Sequence, residues 1–85
     1  MLFMEYSVEI KPKAIKDGRK IPKSILTRIF AKIEILCVDL TGDVKKLTNF
    51  TPEYRLRVGE YRILFEVEKD KIVVYRIVHR KDVYR

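Results

Sequence analysis

The apolar positions of this chain follow three rhythms in succession. Over residues 4–10, Met4, Tyr6, Val8 and Ile10 alternate with Glu5, Ser7 and Glu9, the period of a strand with one buried face. Lys11-Pro12 ends that pattern. Pro12, with its φ fixed and no N–H to leave unpaired, suits the first turn of a helix. A short helix is expected to about Asp17, with Gly18 breaking it. Pro22 opens a longer helix, in which Ile25, Leu26, Ile29, Phe30, Ile33, Leu36 and Cys37 recur at steps of three and four. That spacing marks one apolar face, with Lys23, Arg28 and Lys32 off the stripe. This helix should stop near Leu40, where Thr41-Gly42-Asp43 is turn chemistry.

From Tyr54 onward the period is two. Strands are expected at Tyr54–Val58, Tyr61–Glu68 and 71–78, joined by the two-residue turns Gly59-Glu60 and Lys69-Asp70. Glycine at the first position of such a loop favours a type II′ hairpin. The reading is an α+β domain spanning residues 1–85: a small, antiparallel-dominated sheet of one N-terminal strand and a C-terminal three-strand meander, with two N-terminal helices packed on one face.

Two-residue turns also fix a register. Val58 should oppose Tyr61, Arg57 should oppose Arg62, and Leu56 should oppose Ile63; across the next turn Phe65 should meet Val74, and Arg62 should meet Ile77. One face then carries Tyr54, Leu56, Val58, Tyr61, Ile63, Phe65, Val67, Ile72, Val74 and Val78. The other carries Arg55, Arg57, Arg62, Leu64, Tyr75, Ile77 and His79. Arg76 falls on the apolar face in this register, so either it sits near the sheet end or the register is off by one residue. Like charges directly opposed, as Arg57 and Arg62 would be, destabilise a sheet by several tenths of a kcal/mol or so. An anion between the two guanidinium groups turns that liability into a binding site, because arginine forks match phosphate oxygens in pairs.

Composition sharpens this. Nineteen Lys and Arg against twelve Asp and Glu give a formal charge of +7 on 85 residues, a balance that suits nucleic acid, an anionic membrane or an acidic protein. A membrane surface is the weakest of these, because the basic residues lie mostly on strands rather than along an amphipathic helix. No apolar run nears the roughly 20 residues of a bilayer-crossing helix. The first residues, Met1-Leu2-Phe3-Met4-Glu5, lack the pattern of a secretory signal, so a cytoplasmic location is the expectation. One cysteine and one histidine cannot assemble a structural zinc site, and Cys37 on the apolar stripe reads as a small hydrophobe. On composition alone, a merely solvated basic face is as good an account of the arginines as a binding site.

Two segments resemble a known family. The run Tyr54-Arg55-Leu56-Arg57-Val58-Gly59-Glu60-Tyr61-Arg62-Ile63-Leu64-Phe65-Glu66-Val67 is similar to the core of the RelE/ParE toxin superfamily, and Arg76-Ile77-Val78-His79-Arg80-Lys81-Asp82-Val83-Tyr84 resembles its closing signature. The opening, with Tyr6, Lys13, Ala14 and Lys16-Asp17 before Ile21-Pro22, has the same cadence, so the likeness covers essentially the whole chain. Val78 departs from it, since many members carry glycine before the histidine. The resemblance implies a microbial RNase-like fold and a toxin of a type II toxin–antitoxin system that needs no cofactor or metal. RelE-type members cut mRNA in the ribosomal A site, whereas ParE-type members poison DNA gyrase. Carried over, the RelE pattern makes Arg57, Arg62, His79 and Tyr84 the catalytic candidates. It makes Arg55, Arg80, Lys81, Lys45 and Lys46 the RNA-binding ones, the two lysines on a loop before the sheet. The partners implied are mRNA, the ribosome and a cognate RelB-like acidic antitoxin. A gyrase poison and an inactive RNA-binding module remain alternatives.

Overall fold

The structure, a computed structural model, describes residues 4–47, 49 and 51–83. It contains β1 (Ser7–Ile10), α1 (Pro12–Arg19), α2 (Lys23–Leu36), β2 (Val44–Lys46), β3 (Tyr54–Val58), β4 (Tyr61–Glu68) and β5 (Lys71–His79), followed by a 3-10 turn, Arg80–Asp82. The strands form one sheet in the order β1-β5-β4-β3-β2. β1 runs parallel to β5, and every other neighbouring pair is antiparallel. A helix-bearing crossover is what a parallel pair requires, and α1 and α2 supply the start of it.

One face of the sheet builds the core. Leu56, Val58, Ile63, Phe65, Ile72, Val74 and Ile77 bury there with Ala14 of α1, Ile21, and Ile29, Ile33 and Leu36 of α2. The apolar stripe of α2 is thus real but narrower than the sequence pattern: Phe30 remains 40% exposed. Tyr54 stacks on Phe65 across the β3–β4 ladder, ring centres 5.7 Å apart.

Five features differ from the sequence reading. Residues 4–6 do not extend β1. Tyr6 N–H donates to the Cys37 carbonyl at 2.8 Å, Asp39 N–H donates to that of Met4 at 2.9 Å, and Glu5 bridges Val38. The same pairing ends α2 at Leu36 rather than near Leu40, since Val38 and Asp39 turn their backbone toward this segment and Asp39 and Leu40 take left-handed φ of 55° and 54°. Lys45 and Lys46 stand not on a loop but on a three-residue edge strand, where lysines discourage further strand pairing.

Gly18, expected to break α1, lies inside it and is buried. Its hydrogen faces α2, and a Cβ there would sit 3.4 Å from Leu26 Cδ1, an ordinary contact. Gly18→Ala should therefore stabilise the protein by about 0.5 kcal/mol through helix propensity, read as a rise in thermal midpoint. A fall would mean that the α1–α2 spacing cannot take a methyl group.

The fifth difference decides the site. The turns behave as read: Gly59 has φ of 57°, Val58 opposes Tyr61, Arg57 opposes Arg62, and Leu56 opposes Ile63. Phe65 opposes Val74 too, but the ladder then slips by one, so that Leu64 meets Arg76, Ile63 meets Ile77, Arg62 meets Val78 and Tyr61 meets His79. Tyr75 is the additional residue of a β-bulge. Beyond it, side-chain direction is opposite to the expected one: Ile77 is buried in the core at 4% exposure, not on the arginine face, and Val78 and His79 exchange sides as well.

α1 closes the open edge of β5 where β1 ends. The Asp17 carboxylate accepts from Arg76 Nε at 2.7 Å, Arg76 Nη2 at 3.0 Å and the Ile77 backbone N–H at 2.9 Å. Arg76 thereby reaches round the strand to the helix, which accounts for its place outside the core. Burial works against the Asp17 charge, but Arg76, the Ile77 N–H and Lys20 outweigh it and hold the carboxyl below its usual range.

Candidate functional site

On the face away from the helices, strand register alone lines up two cationic rows. Lys45 opposes Arg55, and Arg57 opposes Arg62. The chain leaves β5 at His79 and turns sharply, and this brings Arg80 and Lys81 to the same place. Together Lys45, Arg55, Arg57, Arg62, Arg80, Lys81 and Val83 line a concave site of about 340 Å³. Six of these seven side chains are cations, which makes the hollow a cradle for an anion.

Each arginine is held differently. Arg55, only 14% exposed at its side chain, donates from Nη1 to the Asp43 carbonyl at 2.6 Å and forms an ion pair with Asp43 Oδ1 at 3.1 Å. Arg57 Nε lies 4.0 Å from the other carboxylate oxygen, Asp43 Oδ2. The backbone fixes that carboxylate, since Arg57 N–H donates to the Asp43 carbonyl at 3.0 Å. Arg80 Nε pairs with Glu60 Oε2 at 2.8 Å. Arg62 is instead anchored on neutral oxygens, its Nη1 donating to the carbonyls of Gly59 at 2.9 Å and Tyr61 at 3.0 Å.

Electrostatics single out Arg62. Burial, and then the charges of Arg57, Arg55 and Arg80, pull its pKa below the usual guanidinium value, with only Glu60 acting the other way. The group stays charged, because arginine does not deprotonate in proteins. Its crowding therefore persists as repulsion until an anion arrives. A phosphate that bridges Arg57 and Arg62 relieves this repulsion on binding, and growing negative charge on the phosphate relieves it further.

Not every expected residue joins the cradle. Lys46 lies on the other side of β2 from Lys45 and pairs with Glu53 Oε2 at 3.1 Å. His79, expected beside the arginines, stands on the helix side of the sheet because of the bulge at Tyr75. Its ring meets that of Tyr61 edge-on, centres 5.4 Å apart, beside Ile25 and Arg28 of α2. Tyr84 lies outside the described residues. Sequence reasoning, for its part, passed over Asp43 and Glu60, the carboxylates that orient three of the arginines. Glu60 sits in the turn between two arginine-bearing strands, and that adjacency was an available signal; Asp43 precedes the lysine-bearing β2 and carried none. Among the described residues no group of three or more His, Cys, Asp or Glu is placed to hold a metal ion, and no helix is long and apolar enough to cross a membrane.

Known proteins resemble this chain in sequence and in fold. Residues 8–84 match the family model described as the ParE toxin of the type II toxin–antitoxin system parDE. Toxin RelE3 of Methanocaldococcus jannaschii is 40% identical over 75 residues, covering 82% of this chain and 85% of that protein. The fold is shared with the RelB–RelE antitoxin–toxin complex from Methanococcus jannaschii, at a TM-score of 0.73 and 35% identity over 88% of this chain and 93% of the other. It is shared as well with the archaeal RelE–RelB complex from Pyrococcus horikoshii, at a TM-score of 0.77 and 26% identity over 94% and 100%. A meander carrying paired arginines, a basic closing turn and a family match across nearly the entire length lead to one assignment: this chain belongs to the RelE/ParE superfamily of toxins from type II toxin–antitoxin systems.

Proposed function

We infer that this toxin is an endoribonuclease that cuts mRNA in the ribosomal A site and so stops translation. The observation that carries the reading is Arg62, a guanidinium held by two carbonyls and surrounded by like charge, directly opposite Arg57. In the reaction, the ribose 2′-oxygen attacks the adjacent phosphorus, loses its proton, and displaces the 5′-oxygen, which takes up a proton. The products are a 2′,3′-cyclic phosphate and a free 5′-hydroxyl, and no metal is required. Arg57 and Arg62 stabilise the charge on the five-coordinate phosphorus. Arg55, Lys45, Arg80 and Lys81 hold flanking phosphates. Proton transfer falls to Tyr84, which follows Val83 in the chain and whose hydroxyl suits delivery to the leaving oxygen.

A basic face of this kind requires a cover in the cell that makes it. The relatives from Methanococcus jannaschii and Pyrococcus horikoshii are each solved with an antitoxin, and an acidic, RelB-like antitoxin is the proposed partner here. The test of the nuclease reading is a cell-free translation reaction in which cuts on a reporter mRNA are mapped by primer extension. Cuts that appear only on translated message support it. Intact message alongside normal protein synthesis refutes it. The second reading, inhibition of DNA gyrase, draws on the ParE description of the matching family model. Loss of supercoiling by purified gyrase on addition of the protein would favour it.

A further inference from the structure

His79 stands on the wrong side of β5 to touch a phosphate in the cradle, yet it contacts the backbone that carries two of the cradle's cations. The Lys81 N–H donates to His79 Nδ1 at 3.3 Å, so the imidazole is the N-cap of the 3-10 turn Arg80–Asp82. Behind it the ring is braced by Tyr61, whose own side chain packs on the core. The same turn is tied on its other flank, where Arg80 N–H donates to the Glu60 carbonyl at 2.7 Å and Arg80 Nε pairs with the Glu60 carboxylate. The chain therefore crosses from the core side to the cradle through two fixed points, and His79 is one of them.

We propose that His79 is a positioning residue, which sets Arg80 and Lys81 against the phosphates of the RNA and takes no part in proton transfer. The proposal rests on the nuclease reading for its substrate, but its geometry stands apart from whether the bond is cut. A cap works by offering an acceptor to a turn N–H that has no partner within the turn. Here the acceptor is Nδ1, so Nε2 carries the ring hydrogen. Without that acceptor, Lys81 N–H needs another partner and the turn loses its fixed direction. The two cations at its start would then be spread over several orientations, and ordering them would become part of the cost of binding. Removing the cap should weaken capture of phosphates while leaving the chemistry of captured substrate largely intact.

The distinction can be read with two variants. His79→Phe keeps a ring against Tyr61 but removes the acceptor. His79→Asn restores a good capping acceptor and has no titratable group. Each is compared with the parent protein for affinity to an oligoribonucleotide whose 2′-hydroxyls are replaced by hydrogen, which cannot be cut, and for rate and pH profile of cleavage in the translation reaction. The expected result is a loss of affinity in His79→Phe of about fivefold, the usual scale of a lost cap, appearing in KM more than in kcat. His79→Asn should bind and cut within about twofold of the parent and keep its pH profile. If His79→Asn binds normally but loses kcat or a limb of the pH profile, the histidine moves a proton and the proposal fails. If a folded His79→Phe binds as tightly as the parent, the proposal fails also. Should His79→Phe not fold, the outcome with His79→Asn decides. A parent protein that binds the oligonucleotide in this His79-dependent way but cuts nothing would remove the nuclease reading and leave the positioning role standing.

Discussion

Arg62→Ala will abolish detectable mRNA cleavage and leave the protein folded. Loss of one preorganised charge-stabilising donor typically slows a reaction by about 10²–10³-fold, and Arg62 is the donor with the fewest alternatives. Arg55 and Arg57 share Asp43, and Arg80 is engaged by Glu60, whereas the guanidinium of Arg62 is fixed by carbonyls and keeps its full charge for the substrate. Stability should not follow activity. Alanine at this position removes a charge that opposes Arg57 directly and crowds Arg55 and Arg80, so the thermal midpoint should stay level or rise by a small amount. Primer extension in the translation reaction, with thermal unfolding of the same preparation, checks both halves. An active variant would place the phosphorane elsewhere. An inactive but unfolded one would show that Arg62 has a structural duty beyond its two hydrogen bonds.

The second large effect concerns Asp17. Asp17→Ala should destabilise the protein by about 2 kcal/mol at neutral pH, in line with hydrogen bonds to a charged group. The substitution leaves the Ile77 N–H without its acceptor and Arg76 without its partner, at a carboxylate whose side chain is only 14% exposed. Asp17→Asn, which keeps an acceptor for Ile77, should lose roughly half as much. The pH dependence follows from the sign of the shift. The folded-state pKa of Asp17 is depressed by Arg76, the Ile77 N–H and Lys20 against the opposing effect of burial. Its stabilisation is thus fully present above the unfolded value of about 4 and is lost as pH falls through the lower folded value. The parent's advantage over Asp17→Ala should narrow in that acidic window and be constant from about pH 5 to 8. Denaturant unfolding at a series of pH values measures it; a gap that widens on acidification would contradict the assignment.

How far the sequence foretold this molecule can be traced to particular residues. Gly59-Glu60 and Lys69-Asp70 are two-residue turns, and a turn of that length leaves no freedom in the first pairs beside it. The opposition of Arg57 to Arg62 was therefore readable without coordinates, as was the apolar row of Leu56, Ile63 and Phe65. The bulge at Tyr75 was not. Alternation continues smoothly to the eye through Val74-Tyr75-Arg76-Ile77-Val78, since apolar and amphipathic residues follow one another and no glycine marks the slip. The awkward place given to Arg76 by an unbroken register was the one sign of it. β2 escaped notice because three residues cannot show a period, and Gly18 misled because a glycine inside a helix looks the same in the sequence as one that ends it. The register already put Arg55, Arg57 and Arg62 on one face, but how Arg80 and Lys81 are held against them was not readable. That depended on how the last turn folds back, with Glu60 and His79 as its anchors.

The slip at Tyr75 also separates two things that most sheets keep tied together. Everything before it, the core rows and the paired arginines, is in one phase, and everything after it is in the other. Pairing Tyr75 into an unbulged ladder would leave the β3–β4 register untouched and yet turn Val78 toward the helices and an imidazole toward the phosphates. In a lineage of small proteins on one scaffold, the reactive complement could thus be rewritten by register rather than by composition. An alignment that spreads its gaps by residue similarity alone would misread which side chains share a surface.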